Sequence, residues 1–205
     1  MARPRKITDE QLLAAAESAI ARLGPAFTLA DVASDAGVTA GTVVHRFGSK
    51  HGLLIAMIDA AVESARTSRR AGDGRDLVAT IGDAIVERYA PLDDPSTAAN
   101  HLAQLGVDLA DEDLRGRLAT LHATIEAGLE PLVRRAMDAG MLPGAPAVPV
   151  ATRILAALAD GTAMRWSSRP RGRLGDRMRT DLDAVLAGWA GQPNGRVTTK
   201  PGAHA

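Results

Sequence analysis

The residues with the most chemistry in their spacing lie between positions 37 and 50. Thr39, Ala40, Gly41 and Thr42 form a run of small or hydroxyl side chains, and His45, Arg46 and Lys50 follow with no acid anywhere in the stretch. Small side chains let a backbone approach another surface closely, and a basic cluster free of acids suits an anionic partner such as a phosphodiester chain. Three further cations, Arg3, Arg5 and Lys6, open the sequence. Net charge hides this distribution, because 24 basic residues balance 24 acidic ones over the chain.

Catalysis finds no comparable arrangement. There is no G-x-S-x-G, no Gly-Lys-[Ser/Thr] phosphate loop, no G-x-G-x-x-G after a strand and no H-E-x-x-H. The histidines, at 45, 51, 101, 122 and 204, have no i, i+4 pair, and there is no Cys to join them. The expectation is therefore no enzyme, no metal and no cofactor. Asp93-Asp94 and Asp111-Glu112-Asp113 fall at apparent helix starts, where acids act as caps.

The elements that must position the 37–50 cluster are helical. Aromatics are 2% of 205 residues and Ala is the commonest residue, which favours an all-α chain of one domain plus a small module, or two small domains. Thr8 with Gln11 makes a capping box, and Leu12, Ala16, Ala19, Ile20 and Leu23 recur at helical spacing up to Gly24-Pro25. Thr28 with Asp31 makes a second box over a short helix ending at Gly37. Thr39 caps a third helix of roughly eight residues that stops at Phe47-Gly48. Two short helices about a Gly-containing turn are the helix-turn-helix pattern. A fourth helix spans about 49–71, and Gly72-Asp73-Gly74 is the expected boundary.

Beyond it lie a helix from Leu77 toward Pro91, one from Ala98 to Ala110, a stripe of Leu114, Leu118, Leu121, Ile125 and Leu129 leading to a kink at Pro131, and helices over 150–166 and 178–189. About nine helices are expected, divided as a DNA-binding unit over 1–50, a second unit over 72–190 and a disordered tail over 191–205. No window approaches 18 apolar residues, and the acids Asp9, Glu10 and Glu17 interrupt any leader, so a cytoplasmic protein without a membrane partner is expected.

The segment TLADVASDAGVTAGTVVHRFGSKHGLL, residues 28–54, resembles the DNA-binding region of TetR-family transcriptional regulators. The resemblance implies a sequence-specific regulator, a repressor released by a small-molecule effector, acting as a homodimer on a palindromic double-stranded operator. Thr39, Ala40, Gly41 and His45 map to base-reading positions. Thr42, Arg46 and Lys50 map to backbone contacts, with Thr28 and the arm Arg3, Arg5 and Lys6 completing the DNA-contacting set. Family members commonly carry aromatic residues at the positions of Val44 and His45, often Tyr, and Val44 cannot supply the phosphate hydrogen bond of a Tyr. His51 stands where an acid is common and adds a possible cation near DNA. About four phosphates per subunit would give a log–log salt slope of roughly −7 for a dimer. The alternative is a ligand-binding or protein-interaction dimer of the same fold with little DNA affinity.

The resemblance also implies an effector chamber and a dimer interface in the C-terminal helices. Tyr89, His101, Gln104, His122, Met137, Met141 and Trp166 are the polar or adaptable residues expected in a largely apolar chamber. Ile154, Leu155, Leu158 and Thr162, with Met178, Leu182, Val185, Leu186 and Trp189, are the expected four-helix dimer surface. The basic run Arg165, Arg169, Arg171, Arg173, Arg177 and Arg179 is expected as a solvated loop between those helices.

Overall fold

The computed structural model describes residues 7–67 and 76–191, and among them it is entirely helical, with nine α-helices and no strand. The helices are α1 (Asp9–Leu23), α2 (Leu29–Asp35), α3 (Ala40–Phe47), α4 (Lys50–Thr67), α5 (Leu77–Tyr89), α6 (Pro95–Ala110), α7 (Glu112–Asp138), α8 (Val148–Ser168) and α9 (Leu174–Ala190). The expected boundary at 72–74 and most of the expected tail lie outside the described residues. No helix among the described residues is long and apolar enough to cross a membrane.

Local chemistry sets most of the starts. Both capping boxes close reciprocally: Gln11 N–H donates to the Thr8 hydroxyl while the Thr8 N–H donates to Gln11, and Thr28 pairs with Asp31 in the same way. Asp94 and Asp111 accept from the N–H groups of Thr97 and Leu114 as N-caps. Asp94, with Pro95 already at N1, starts α6 three residues before the expected Ala98. α7 runs through Pro131 as one helix, its ring on the exposed side where the carbonyl left without a donor meets water. α9 begins at Leu174, earlier than expected, because its cap comes from elsewhere in the chain. Asp93, before α6, accepts from the Leu174 N–H and from Arg173 Nε, each at 2.6 Å.

Two apolar cores organise the packing. The first joins Leu12, Ala16, Phe27, Val32, Val43, Leu53 and Ile58 of the N-terminal helices to Leu114, Leu118 and Leu121 of α7. The second gathers α5, the far half of α7, α8 and α9 around Ile81, Val133, Leu155, Met178 and Leu182. α7 thus belongs to both cores, and Ile125 packs against each. An Arg117–Asp59 ion pair at 2.5 Å ties α7 to α4. α6 is fixed to α1 by polar contacts: Asn100 donates to the Ala21 carbonyl, and His101 Nε2 lies 2.9 Å from Glu17.

Candidate nucleic-acid interface

α2 and α3 meet through a turn at Gly37, whose φ of +68° is one a side chain would strain. Val32, Ala33 and Val43 are sealed into the core, with Ala36, Val38 and Phe47 packed around them, so the opposite side of α3 is left to solvent. That outer side carries Ala40, Gly41, Val44, His45 and Arg46. A Cβ built on Gly41 would meet only the Thr39 hydroxyl, at 3.7 Å, so the start of α3 is open to close approach.

Much of the expected polar chemistry is already engaged within the protein. The Thr39 hydroxyl accepts from the Thr42 N–H and lies 3.1 Å from the Thr42 hydroxyl, so both belong to the cap of α3. The Thr28 hydroxyl is bonded to Asp31 at the cap of α2. Arg46 pairs with Asp9 of α1 at 3.0 Å. His45 has no hydrogen-bond or ion-pair partner among the described residues and is the free polar group of the face. Arg3, Arg5 and Lys6 lie outside the described residues.

Lys50 departs most from expectation. Its ammonium donates to the carbonyls of Pro25 and Phe27, both at 2.7 Å, and sits 4.0 Å from the centroid of the Phe27 ring. An ammonium has three donors, and two are spent on these carbonyls. Burial lowers its pKa, opposed by the charges of Asp108 and Asp31. Lys50 therefore binds the start of α4 to the α1–α2 connection instead of presenting its charge at a phosphate. His51, the expected extra cation, faces Asp111 at 3.4 Å at the α6–α7 corner. Beside it Gln104 and Asp108 form a buried pair at 2.6 Å; burial raises the Asp108 pKa, while the Gln104 Oε1 has no donor.

The expected chamber is corrected in membership and character. One cavity of about 520 Å³ lies between α4, α5, α7 and α8, and of the seven expected residues only Tyr89 and His122 line it. His101 serves the α1–α6 contact, Gln104 bonds Asp108 within α6, Met137 and Met141 pack against the second core, and buried Trp166 donates to the Gly172 carbonyl. The walls are more ionic than expected, with Arg88, Arg153, Glu87, Glu126 and Asp160 over a floor of Ile85, Leu129 and Leu132. Tyr89 donates to Asp160, and burial, before that carboxylate, pushes its pKa far above the usual phenol range. Arg88 and Arg153 form no ion pair among the described residues. In the sequence they look like ordinary charges on outward helix faces.

The expected dimer surface is corrected likewise. Leu155, Thr162, Met178, Leu182 and Leu186 are buried within the chain's own second core, because α8 and α9 turn their strongest stripes toward α5 and α7. Leu158, Val185 and Trp189 are half-buried against the same core, and Ile154 remains exposed. The basic run is not a loop throughout: Arg165 lies in α8 and Arg177 and Arg179 in α9, and Arg173, Arg177 and Arg179 pair with Asp93, Asp181 and Asp83.

Two short helices about a glycine turn, packed on a body of longer helices, have the helix-turn-helix arrangement that many DNA-binding proteins use. Residues 12–57 match the family of bacterial regulatory proteins described as the tetR family. The HTH-type transcriptional regulator TtgR of Pseudomonas putida is 28% identical over 171 residues, covering 80% of this chain and 81% of its own. The probable HTH-type transcriptional regulator ArpR of the same species matches equally. Among solved structures, a TetR transcription regulator from Haloarcula marismortui superposes with a TM-score of 0.70 at 18% identity, over 89% of this chain and 95% of that one. FadR from Bacillus subtilis, solved with stearoyl-CoA, gives 0.69 at 18% identity over 88% and 99%. These matches agree with the resemblance of residues 28–54 to TetR-family transcriptional regulators.

Proposed function

We propose that this protein is a TetR-family transcriptional regulator, a homodimeric repressor that binds a two-fold symmetric DNA site through α3 and releases it when a small molecule fills the cavity. The observation that carries this reading is the outer face of α3, where small residues, an exposed Val44 and a His45 without a partner among the described residues stand clear of the fold's own contacts. α4 supports a route for release: its first residues bind the head through Lys50, and Ala61, Ser64 and Ala65 further along it line the cavity. An occupant favouring a shifted α4 would lower DNA affinity by its differential affinity for the two states.

Arg88 and Arg153, without an ion pair among the described residues and set above an apolar floor, suit an occupant with an anionic or polar head and an apolar body; FadR, of the same fold, was solved with stearoyl-CoA, a molecule of that kind. The dimer surface is assigned to the outward stripe of α8, where Ile154, Gly161 and Met164 recur at helical spacing and a Cβ at Gly161 would meet nothing. Selection of bound duplexes from a random pool tests the reading. An enriched inverted repeat supports it, and no enrichment at low salt favours the ligand-binding dimer without DNA affinity, toward which the engagement of Lys50 and Arg46 points.

A further inference from the structure

Adjacent valines on α3 have opposite fates: Val43 is 0% exposed in the core, while Val44 is 45% exposed on the outer face. Ala40 stands one turn before it on the same side. The hydroxyls of Thr39 and Thr42 are committed to the helix cap, Arg46 to Asp9 and Lys50 to two carbonyls. The face that α3 presents to a major groove is therefore one imidazole and a small apolar surface. In the major groove the apolar feature that distinguishes one base from the others is the C5-methyl group of thymine.

We propose that Val44, flanked by Ala40, reads a thymine methyl group, so that each half of the DNA site carries an obligatory thymine recognised by its methyl and not by a hydrogen bond. This rests on the DNA-binding reading above. It extends that reading by assigning specificity to a residue outside the hydrogen-bonding set, at a position where a valine cannot bind phosphate. Burial of one methyl against Val44 corresponds to about a fourfold change in affinity per half-site, and about fifteenfold for a symmetric pair.

The test uses the full-length protein and the duplex it selects from a random pool, with each thymine replaced in turn by uracil, which removes the methyl and keeps the hydrogen-bonding edge. The expected result is one position per half-site where uracil weakens the wild-type protein about fourfold, while Val44→Ala binds thymine and uracil duplexes within about twofold of each other. Val44 is exposed, so this variant retains the packing of α3. Uracil without effect at every position, or a Val44→Ala variant as sensitive as wild type, overturns the inference and leaves DNA binding standing. Failure to select any duplex overturns the DNA-binding reading and the inference together.

Discussion

Replacing Lys50 by Met separates a structural role for this residue from the phosphate contact implied by the family resemblance. Met keeps the length and apolar stem and removes the ammonium. Two charge-assisted hydrogen bonds at 2.7 Å are lost, together with a cation–ring contact at 4.0 Å. Bonds to a charged donor contribute about 1.5 kcal/mol each at the lower end of their range, suited to a half-buried group, and the ring contact adds about 0.5 kcal/mol. The desolvation cost of the ammonium, visible in its lowered pKa, is recovered in the variant, so a net loss of about 2.5 kcal/mol is expected. For a chain of this size that lowers the melting temperature by about 5–10 °C, read by calorimetry at matched protein concentration. Any loss of DNA affinity would follow from a loosened head, with the salt slope unchanged. A variant that melts with the wild type yet binds DNA tenfold more weakly, with a slope shallower by about two for the dimer, would refute the reasoning and restore Lys50 as a phosphate contact.

Gly52 sits in the first turn of α4, where a Cβ would stand 2.1 Å from the Phe47 carbonyl oxygen at the end of α3. Gly52→Ala is expected to cost at least about 2 kcal/mol in thermal unfolding, because a backbone atom must move. Glu17 raises the His101 pKa through their contact, opposed by burial, so this stabilisation is fully present below the unfolded value and is lost as pH rises through the folded one. Glu17→Gln should therefore lose more melting temperature at pH 6 than at pH 8.5. Burial raises the Asp108 pKa, so its charge opposes folding above that pKa, and an Asn there also offers an N–H to the unpartnered Gln104 Oε1. Asp108→Asn is expected to gain about 1 kcal/mol near neutral pH, with the gap to wild type closing in acid.

The parts legible in the sequence are those written in local chemistry. Thr8 with Gln11, Thr28 with Asp31, Thr39, Asp94 and Asp111 cap the helices that their neighbours imply, because a cap bonds N–H groups within four residues. The start of α9 was not legible, since Asp93 bonds it across about eighty residues of sequence. Periodicity finds the stripes of α8 and α9 but not the partner each one faces. Leu155, Met178 and Leu182 accordingly read as an association surface and are interior. The inward turn of Lys50 has the same origin, for nothing within α4 shows that the Pro25 and Phe27 carbonyls converge on it. Charges on outward helix faces look alike in sequence, which is why Arg88, Arg153 and Asp160 of the cavity were missed.

The central claim, that α3 with its flanking cations docks a dimer on a specific DNA site, is tested most directly by titrating salt against binding of the selected duplex, followed by fluorescence anisotropy. With Lys50 turned inward and Arg46 paired to Asp9, about two phosphate contacts per subunit remain for the N-terminal arm, and a log–log slope of about −3.5 is expected on a two-fold symmetric sequence. A slope near zero, or equal affinity for the selected and a scrambled duplex, would contradict it.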